Sequence, residues 1–302
     1  MDLHVDFAGV KFKNPVVAAS GTFGFGKEYG EYYDISRLGG ICVKGLTASQ
    51  RLGNPPQRIA ETPMGMLNSV GLQNPGIDTF ISDELPMLRA YDTVIIANIS
   101  GNTVEEYAEM AGKLSDAAVE IIEVNVSCPN VKEGGLHFGT SPDSIATVTE
   151  AVKKNSGVPV MVKLSPNVTD ITEIARAVES AGADAISLIN TVLGMRIDIT
   201  TRKPILHNNI GGLSGPAVFP IAVRMVWQVS NAVKIPIMGM GGVVNGDDAI
   251  EMMLAGASLV GVGTACFTDP YAPLSIIDGI EEYMQRNGLK AVSDLMGKVE
   301  IN

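Results

Sequence analysis

The segment Glu123-Val124-Asn125-Val126-Ser127-Cys128-Pro129-Asn130 sets an amide, a hydroxyl, a thiol and a second amide at the end of an apolar run, Ile121 to Val126. An apolar run that finishes this way reads as a buried strand delivering reactive groups to the rim of a sheet. A thiolate is a nucleophile or a general base, and the free thiol pKa of about 8.5 falls near cations. Lys44 is such a cation if both residues face one mouth. A free cysteine is more often a buried, inert thiol. That bland reading is applied to Cys42 and Cys266, but not to Cys128, which follows Asn125 and precedes a polar loop.

Three further constellations carry chemistry. Gly239-Met240-Gly241-Gly242 and Gly261-Val262-Gly263-Thr264 are glycine-rich ends of apolar runs. Such ends let a phosphate approach backbone N–H groups closely. Their plain alternative is a tight strand-to-helix turn. Lys163 ends another apolar run. Beside a phosphate site it can hold the negative charge of a reduced flavin ring, or it can form a structural ion pair with a carboxylate. Asn68, Asn98, Asn125, Asn130 and Asn190 each donate and accept at once, which suits a planar ligand bearing carbonyls, ring N–H groups and a carboxylate. Any one of them also suits a turn or a cap. His4, His137 and His207 have no partners in the sequence that would make a metal site, and none is expected. Gly24-Phe25-Gly26-Lys27-Glu28-Tyr29-Gly30 misses the GxGxxG spacing, so no nicotinamide-binding fingerprint is present.

Eight apolar runs have to position these groups. Pro15 to Ala19 ends in Ser20-Gly21, Gly40 to Val43 in Lys44-Gly45, and Thr93 to Ala97 in Asn98. Ile121 to Val126 ends at Ser127-Cys128, Pro159 to Val162 in Lys163, and Ala185 to Ile189 in Asn190-Thr191. Ile235 to Met240 ends in Gly241-Gly242 and Ser258 to Val262 in Gly263-Thr264. Helical periodicity lies between most of them: Asn102 to Leu114 (capped by Asn102 or Thr103), Ser141 to Lys154, Asp170 to Ala181 with Gly182 closing it, Ala217 to Val233, and Asp247 to Leu254. Alternating strands and helices predict parallel βαβ units, and eight of them predict an α/β chain folded as a (β/α)8 TIM barrel. Active sites of that fold lie at the C-terminal ends of the strands. Residues 3–13 alternate and predict a hairpin over the bottom. Leu46 to Asp78, Pro129 to Thr140 and Leu193 to Pro216 read as long loops on the catalytic face, where such loops bind or cover ligands.

Composition narrows the function classes. The chain has 302 residues, 46% hydrophobic, with a formal net charge of -11. An acidic chain is poorly suited to a phosphate backbone, so no nucleic-acid partner is expected. Three scattered cysteines form no disulfide framework or CxxC pair, and a reducing cytoplasm is the simplest compartment. Met1-Asp2-Leu3-His4 does not open a signal peptide, and no apolar run approaches the ~18 residues of a membrane span. No linker or composition shift divides the chain, so residues 1–302 are expected to form a single domain.

Taken together, Asn125-Val126-Ser127-Cys128-Pro129-Asn130, Asn68-Ser69-Val70-Gly71-Leu72, Lys44-Gly45, Lys163-Leu164-Ser165-Pro166, Asn190-Thr191 and Gly241-Gly242 resemble class 1 dihydroorotate dehydrogenase. The resemblance runs from Pro15 to Phe267; barrel flavoproteins such as dihydropyrimidine dehydrogenase share parts of it. Class 1 uses Cys as the base where the membrane-associated class 2 uses Ser. The loop Val131 to Gly139 and Thr191 resemble the 1B type, whose FMN-bearing catalytic subunit works with a second subunit carrying FAD and a [2Fe–2S] cluster and passes electrons to NAD. Such a cluster needs four thiolates or substitutes, more than this chain supplies.

The resemblance implies oxidation of (S)-dihydroorotate to orotate in pyrimidine biosynthesis, with Cys128 taking the C5 proton while C6 delivers hydride to the flavin. It places FMN against Ser20, Lys44, Gly45, Asn98, Asn125, Lys163, Ile189 and Gly215, with its phosphate at Gly241, Gly242, Gly263 and Thr264. It places substrate against Lys44, Asn68, Ser69, Val70, Gly71, Leu72, Asn125, Asn130, Asn190 and Thr191. The expected assembly is a homodimer core within a heterotetramer. Alternatives are the fumarate-using 1A homodimer, an RNA-modifying flavoprotein of the dihydrouridine synthase type, and a non-catalytic ligand-binding barrel.

Overall fold

A computed structural model describes residues 1–126 and 138–302. Eight parallel strands close into a barrel in chain order: Val16–Ala18, Gly40–Cys42, Val94–Ile99, Ile121–Asn125, Val160–Lys163, Ala185–Leu188, Ile237–Met240 and Leu259–Val262. They are barrel strands one to eight below. Strand eight pairs with strand one, Val260 opposite Val16, which completes the ring. Every residue in these strands is buried except Asn125 at the rim. Parallel strands covered on both faces need no polar alternation, which is why they read as continuous apolar runs.

Two strands run further than expected. Strand three continues through Asn98 to Ile99, and strand five includes Lys163. Asn98 pairs in register with Glu123, and Asn125 with Lys163. The polar side chains therefore sit on the ladder itself rather than in the turns beyond it.

The outer helices follow their caps. Thr103 accepts a hydrogen bond from the Glu106 amide at the head of Val104–Ser115, and Asp170 does the same for Thr172 ahead of Ile171–Ser180. Asn245 and Asp248 form a reciprocal capping box on Gly246–Leu254. In Ile171–Ser180 the buried residues Ile171, Ile174, Ala175 and Val178 make one stripe. Pro142–Asn155 and Phe219–Ser230 complete the expected set, the latter preceded by a 3₁₀ turn at Pro216–Val218. Among the described residues three further helical stretches were not read from the sequence, 77–88, Ala265–Thr268 and Ala272–Arg286. Between strands one and two there are only 3₁₀ turns, Tyr29–Glu31 and Ile35–Arg37.

The ends of the barrel are closed differently. At the bottom, Val5–Phe7 pairs antiparallel with Val10–Phe12. Phe7 and Phe12 are fully buried and meet edge to face at 6.0 Å. A Cβ on Gly40, where strand two begins, would come 2.9 Å from the Phe12 ring, so that ring is seated on the barrel floor as the hairpin reading expected. At the top, the segments after strands two and six are not plain loops. They fold into a four-stranded antiparallel sheet ordered Val192–Gly194, Gly211–Ser214, Gly65–Asn68 and Ile59–Thr62. Ala60, Leu67 and Leu206 form its own small core. No helix among the described residues is long and apolar enough to cross a membrane.

Candidate active site

A cavity of about 300 Å³ lies between the C-terminal ends of the barrel strands and the upper sheet. Strand ends bring Ser20, Lys44, Gly45, Asn125, Lys163, Ile189, Asn190, Thr191, Gly241, Gly242, Gly263 and Thr264 to its wall. The upper segments bring Asn68, Val70, Gly71, Leu72 and Gly215. Residues spread over most of the chain thus share one small space, because a barrel presents all its strand ends on one face. Cys128 and Asn130 lie outside the described residues.

Two of the expected residues do not line it. Ser69 is buried and turned onto Asn54, whose amide Nδ2 donates to the Ser69 hydroxyl at 3.2 Å. It follows Asn68, and successive extended residues point to opposite faces. Asn98 is fully buried in strand three, and its Nδ2 donates to Glu123 Oε2.

The wall has three parts. The first is a glycine cradle. Gly241 and Gly242 have φ of 130° and 82°, and a Cβ at Gly242 would come 2.8 Å from both the Gly215 carbonyl and Phe219 Cβ. Only glycine keeps this turn open. Thr264 closes it by donating to the Ser214 hydroxyl at 2.8 Å.

The second part is an amide corner. Asn190 Nδ2 donates to Asn125 Oδ1 at 3.3 Å, and Asn190 Oδ1 accepts from the Thr191 amide at 2.9 Å. Across the cavity Asn68 Nδ2 donates to the Gly212 carbonyl at 3.3 Å. The turn carrying Val70 to Leu72 is fixed by buried Asn74, which donates to the Leu72 carbonyl at 2.6 Å and to the Thr47 hydroxyl at 2.8 Å.

The third part is the charged floor. Lys163 is buried and reaches Glu123 at 3.9 Å. Glu123 also accepts from the Ser187 hydroxyl at 2.7 Å and from the Cys42 thiol at 3.1 Å. Both sequence readings of Lys163 therefore meet in one residue: it lines the cavity, and it has a carboxylate partner. The other thiols are quiet. Burial, then the Glu123 charge, pushes Cys42 well above the usual thiol range. Burial pushes Cys266 up to about 12.

The model of the family described as dihydroorotate dehydrogenase matches residues 2–284. The chain is 56% identical over 298 residues to the protein of Alkaliphilus oremlandii named dihydroorotate dehydrogenase B (NAD(+)), catalytic subunit, covering 99% of both chains. A protein of the same name from Thermoanaerobacter pseudethanolicus is 54% identical over 302 residues, covering 100% of both. Another, from Geotalea daltonii, is 54% identical over 302 residues with 99% of each covered.

The chain belongs to the dihydroorotate dehydrogenase family.

A dihydroorotate dehydrogenase of this kind works with a flavin, and the cavity residues fit one. Asn98 Oδ1 is a buried acceptor with no hydrogen-bond partner among the described residues. Gly45, which lines the cavity, lies against it: a Cβ there would come 2.8 Å from that oxygen. An acceptor beside a glycine wall suits the N–H edge of a planar ring, and the Gly241–Gly242 cradle suits a phosphate. Sequence reasoning missed Glu123, Ser187, Asn74 and Ser214. Glu123 had a signal: a carboxylate inside an all-buried strand must find partners.

Proposed function

We propose that this chain is the FMN-binding catalytic subunit of an NAD-linked dihydroorotate dehydrogenase, oxidising (S)-dihydroorotate to orotate for pyrimidine biosynthesis in the cytoplasm. The observation that carries the reading is the convergence on one cavity of Lys44, Asn68, Asn125, Lys163, Asn190 and the Gly241–Gly242 turn, in a chain that matches its relatives from end to end.

FMN supplies the hydride acceptor. Gly241, Gly242, Gly263 and Thr264 hold its phosphate, and Lys163 faces its ring. Lys44, half-buried at the end of strand two, pairs with the substrate carboxylate. Asn68, Asn125, Asn190 and Thr191 take the carbonyls and N–H groups of the substrate ring, because each amide both donates and accepts. Val70 to Leu72 closes the upper side and keeps water out. Cys128 is the base. A C–H next to a carbonyl is acidic enough for a positioned thiolate, and general-base help of this sort contributes roughly 10²–10⁴-fold.

The electrons leave through a second subunit carrying FAD and a [2Fe–2S] cluster, with two copies of this chain at the centre of a heterotetramer. The relatives' names, which specify a catalytic subunit and NAD(+), support this over a fumarate-linked homodimer. The test is the electron acceptor. With dihydroorotate as donor, the isolated chain should not turn over with fumarate, and NAD reduction should appear only when the iron–sulfur flavoprotein subunit is added. Sustained turnover of the isolated chain with fumarate would replace this reading with the homodimeric one.

A further inference from the structure

Five neighbouring strands contribute to one buried polar cluster inside the barrel. Cys42, Asn98 and Ser187, from strands two, three and six, all donate to the Glu123 carboxylate of strand four. Lys163 of strand five stands 3.9 Å from it. Strands two and six are not neighbours of strand four, so their contacts with it cross the barrel interior. That interior is ordinarily filled by branched apolar side chains. Apolar packing would serve stability as well or better than a buried ion pair, so a fully buried carboxylate needs another reason.

Lys163 supplies one, since it belongs both to this cluster and to the cavity wall. We propose that Glu123 is a positioning residue: it holds the ammonium of Lys163 back at a fixed distance from the flavin ring, and so sets how readily that flavin accepts electrons. This rests on the reading of Lys163 as the ring-facing residue. An unpaired cation beside the ring favours the reduced, more negative ring. A carboxylate behind that cation weakens the preference, by an amount that is large in a site shielded from water. The consequence matters for a flavin that must hand its electrons on to NAD, because a flavin that holds them too well stalls. The three neutral donors from Cys42, Asn98 and Ser187 hold the carboxylate in place, so its distance from Lys163 is set by the barrel rather than by a flexible side chain.

The test is the midpoint potential of bound FMN, read by equilibration with a reference dye, in the wild type, Glu123→Gln, Lys163→Gln and the double variant. FMN content and thermal unfolding are followed alongside. Glu123→Gln should move the flavin equilibrium toward the reduced form by about tenfold, which is about 30 mV for a two-electron couple. Lys163→Gln should move it the other way. Adding Glu123→Gln to Lys163→Gln should have less than about a third of its single effect, since the carboxylate acts through the lysine. A purely structural role for Glu123 would lower the unfolding temperature or FMN content and leave the potential of the loaded protein unchanged; that result overturns the proposal. Equal shifts with and without Lys163 overturn it too. An unchanged potential in Lys163→Gln removes the ring-facing reading of the lysine and this inference with it. If Glu123→Gln does not fold, Glu123→Asp takes its place: the charge is kept but withdrawn by one methylene, and a smaller shift in the same direction is required.

Discussion

Cys128→Ala separates binding from proton removal. The proposed FMN contacts are Gly241, Gly242 and Lys163 rather than Cys128, so FMN should stay bound. Reduction of the flavin by dihydroorotate should slow by roughly 10²–10⁴-fold, measured by anaerobic rapid mixing. Near-normal reduction would remove Cys128 as the base. The two other cysteines should behave differently. Burial raises the Cys266 thiol from 9.0 to about 12, so the native state holds its proton where the unfolded chain releases it. The stability this contributes is complete below about pH 9 and is lost as pH rises toward 12. Alkylation of the native protein at pH 8 should therefore leave Cys42 and Cys266 unmodified, checked by peptide mass mapping. Modification of either at a rate close to that of a free thiol would contradict their burial. At this scale the sequence was legible where a polar residue ended an apolar run, as at Lys44, Lys163 and Asn190. It was less so inside the runs. Glu123 and Ser187 sit within apolar stretches, and only the closed barrel shows that they face each other across its interior.

Among the elements, the floor hairpin makes the clearest prediction. Phe12 is fully buried against the start of strand two. Phe12→Ala should cost about 3–5 kcal/mol of stability, read from urea unfolding, while the loaded enzyme keeps its affinity for dihydroorotate because the site is at the opposite end. A loss below about 1 kcal/mol would mean the ring does not close the barrel. The barrel strands were legible because burial on both faces leaves an unbroken apolar signature, and the helices because their caps and stripes are regular. The upper sheet was not. Gly211–Ser214 is short and glycine-rich, and its partner Gly65–Asn68 lies far away in the chain. Such a strand exists only once the barrel brings the two segments together. Gly212 shows the constraint, since a Cβ there would overlap the Thr191 side chain. The absence of an α-helix between strands one and two has a similar cause: Tyr29 hydrogen-bonds back to the Thr22 carbonyl at 3.0 Å, and Phe23 stacks on its ring at 4.1 Å.

For the molecule as a whole, one open end of a barrel collects the cavity, the amides and the charged floor, while the other end is sealed by packed aromatic rings. On the proposed reading the chain holds the substrate and the flavin, and its three cysteines are too few to supply the four ligands of an iron–sulfur cluster. A partner subunit, which the relatives' name 'catalytic subunit' implies, would carry that cluster. The central claim is that dihydroorotate is the electron donor to a flavin held in this cavity, and it is tested most directly without any partner. The FMN-loaded chain is mixed anaerobically with dihydroorotate, and the visible flavin band is followed together with orotate formation. The account predicts bleaching of the flavin with stoichiometric orotate. A flavin that stays oxidised in the presence of excess dihydroorotate would contradict it.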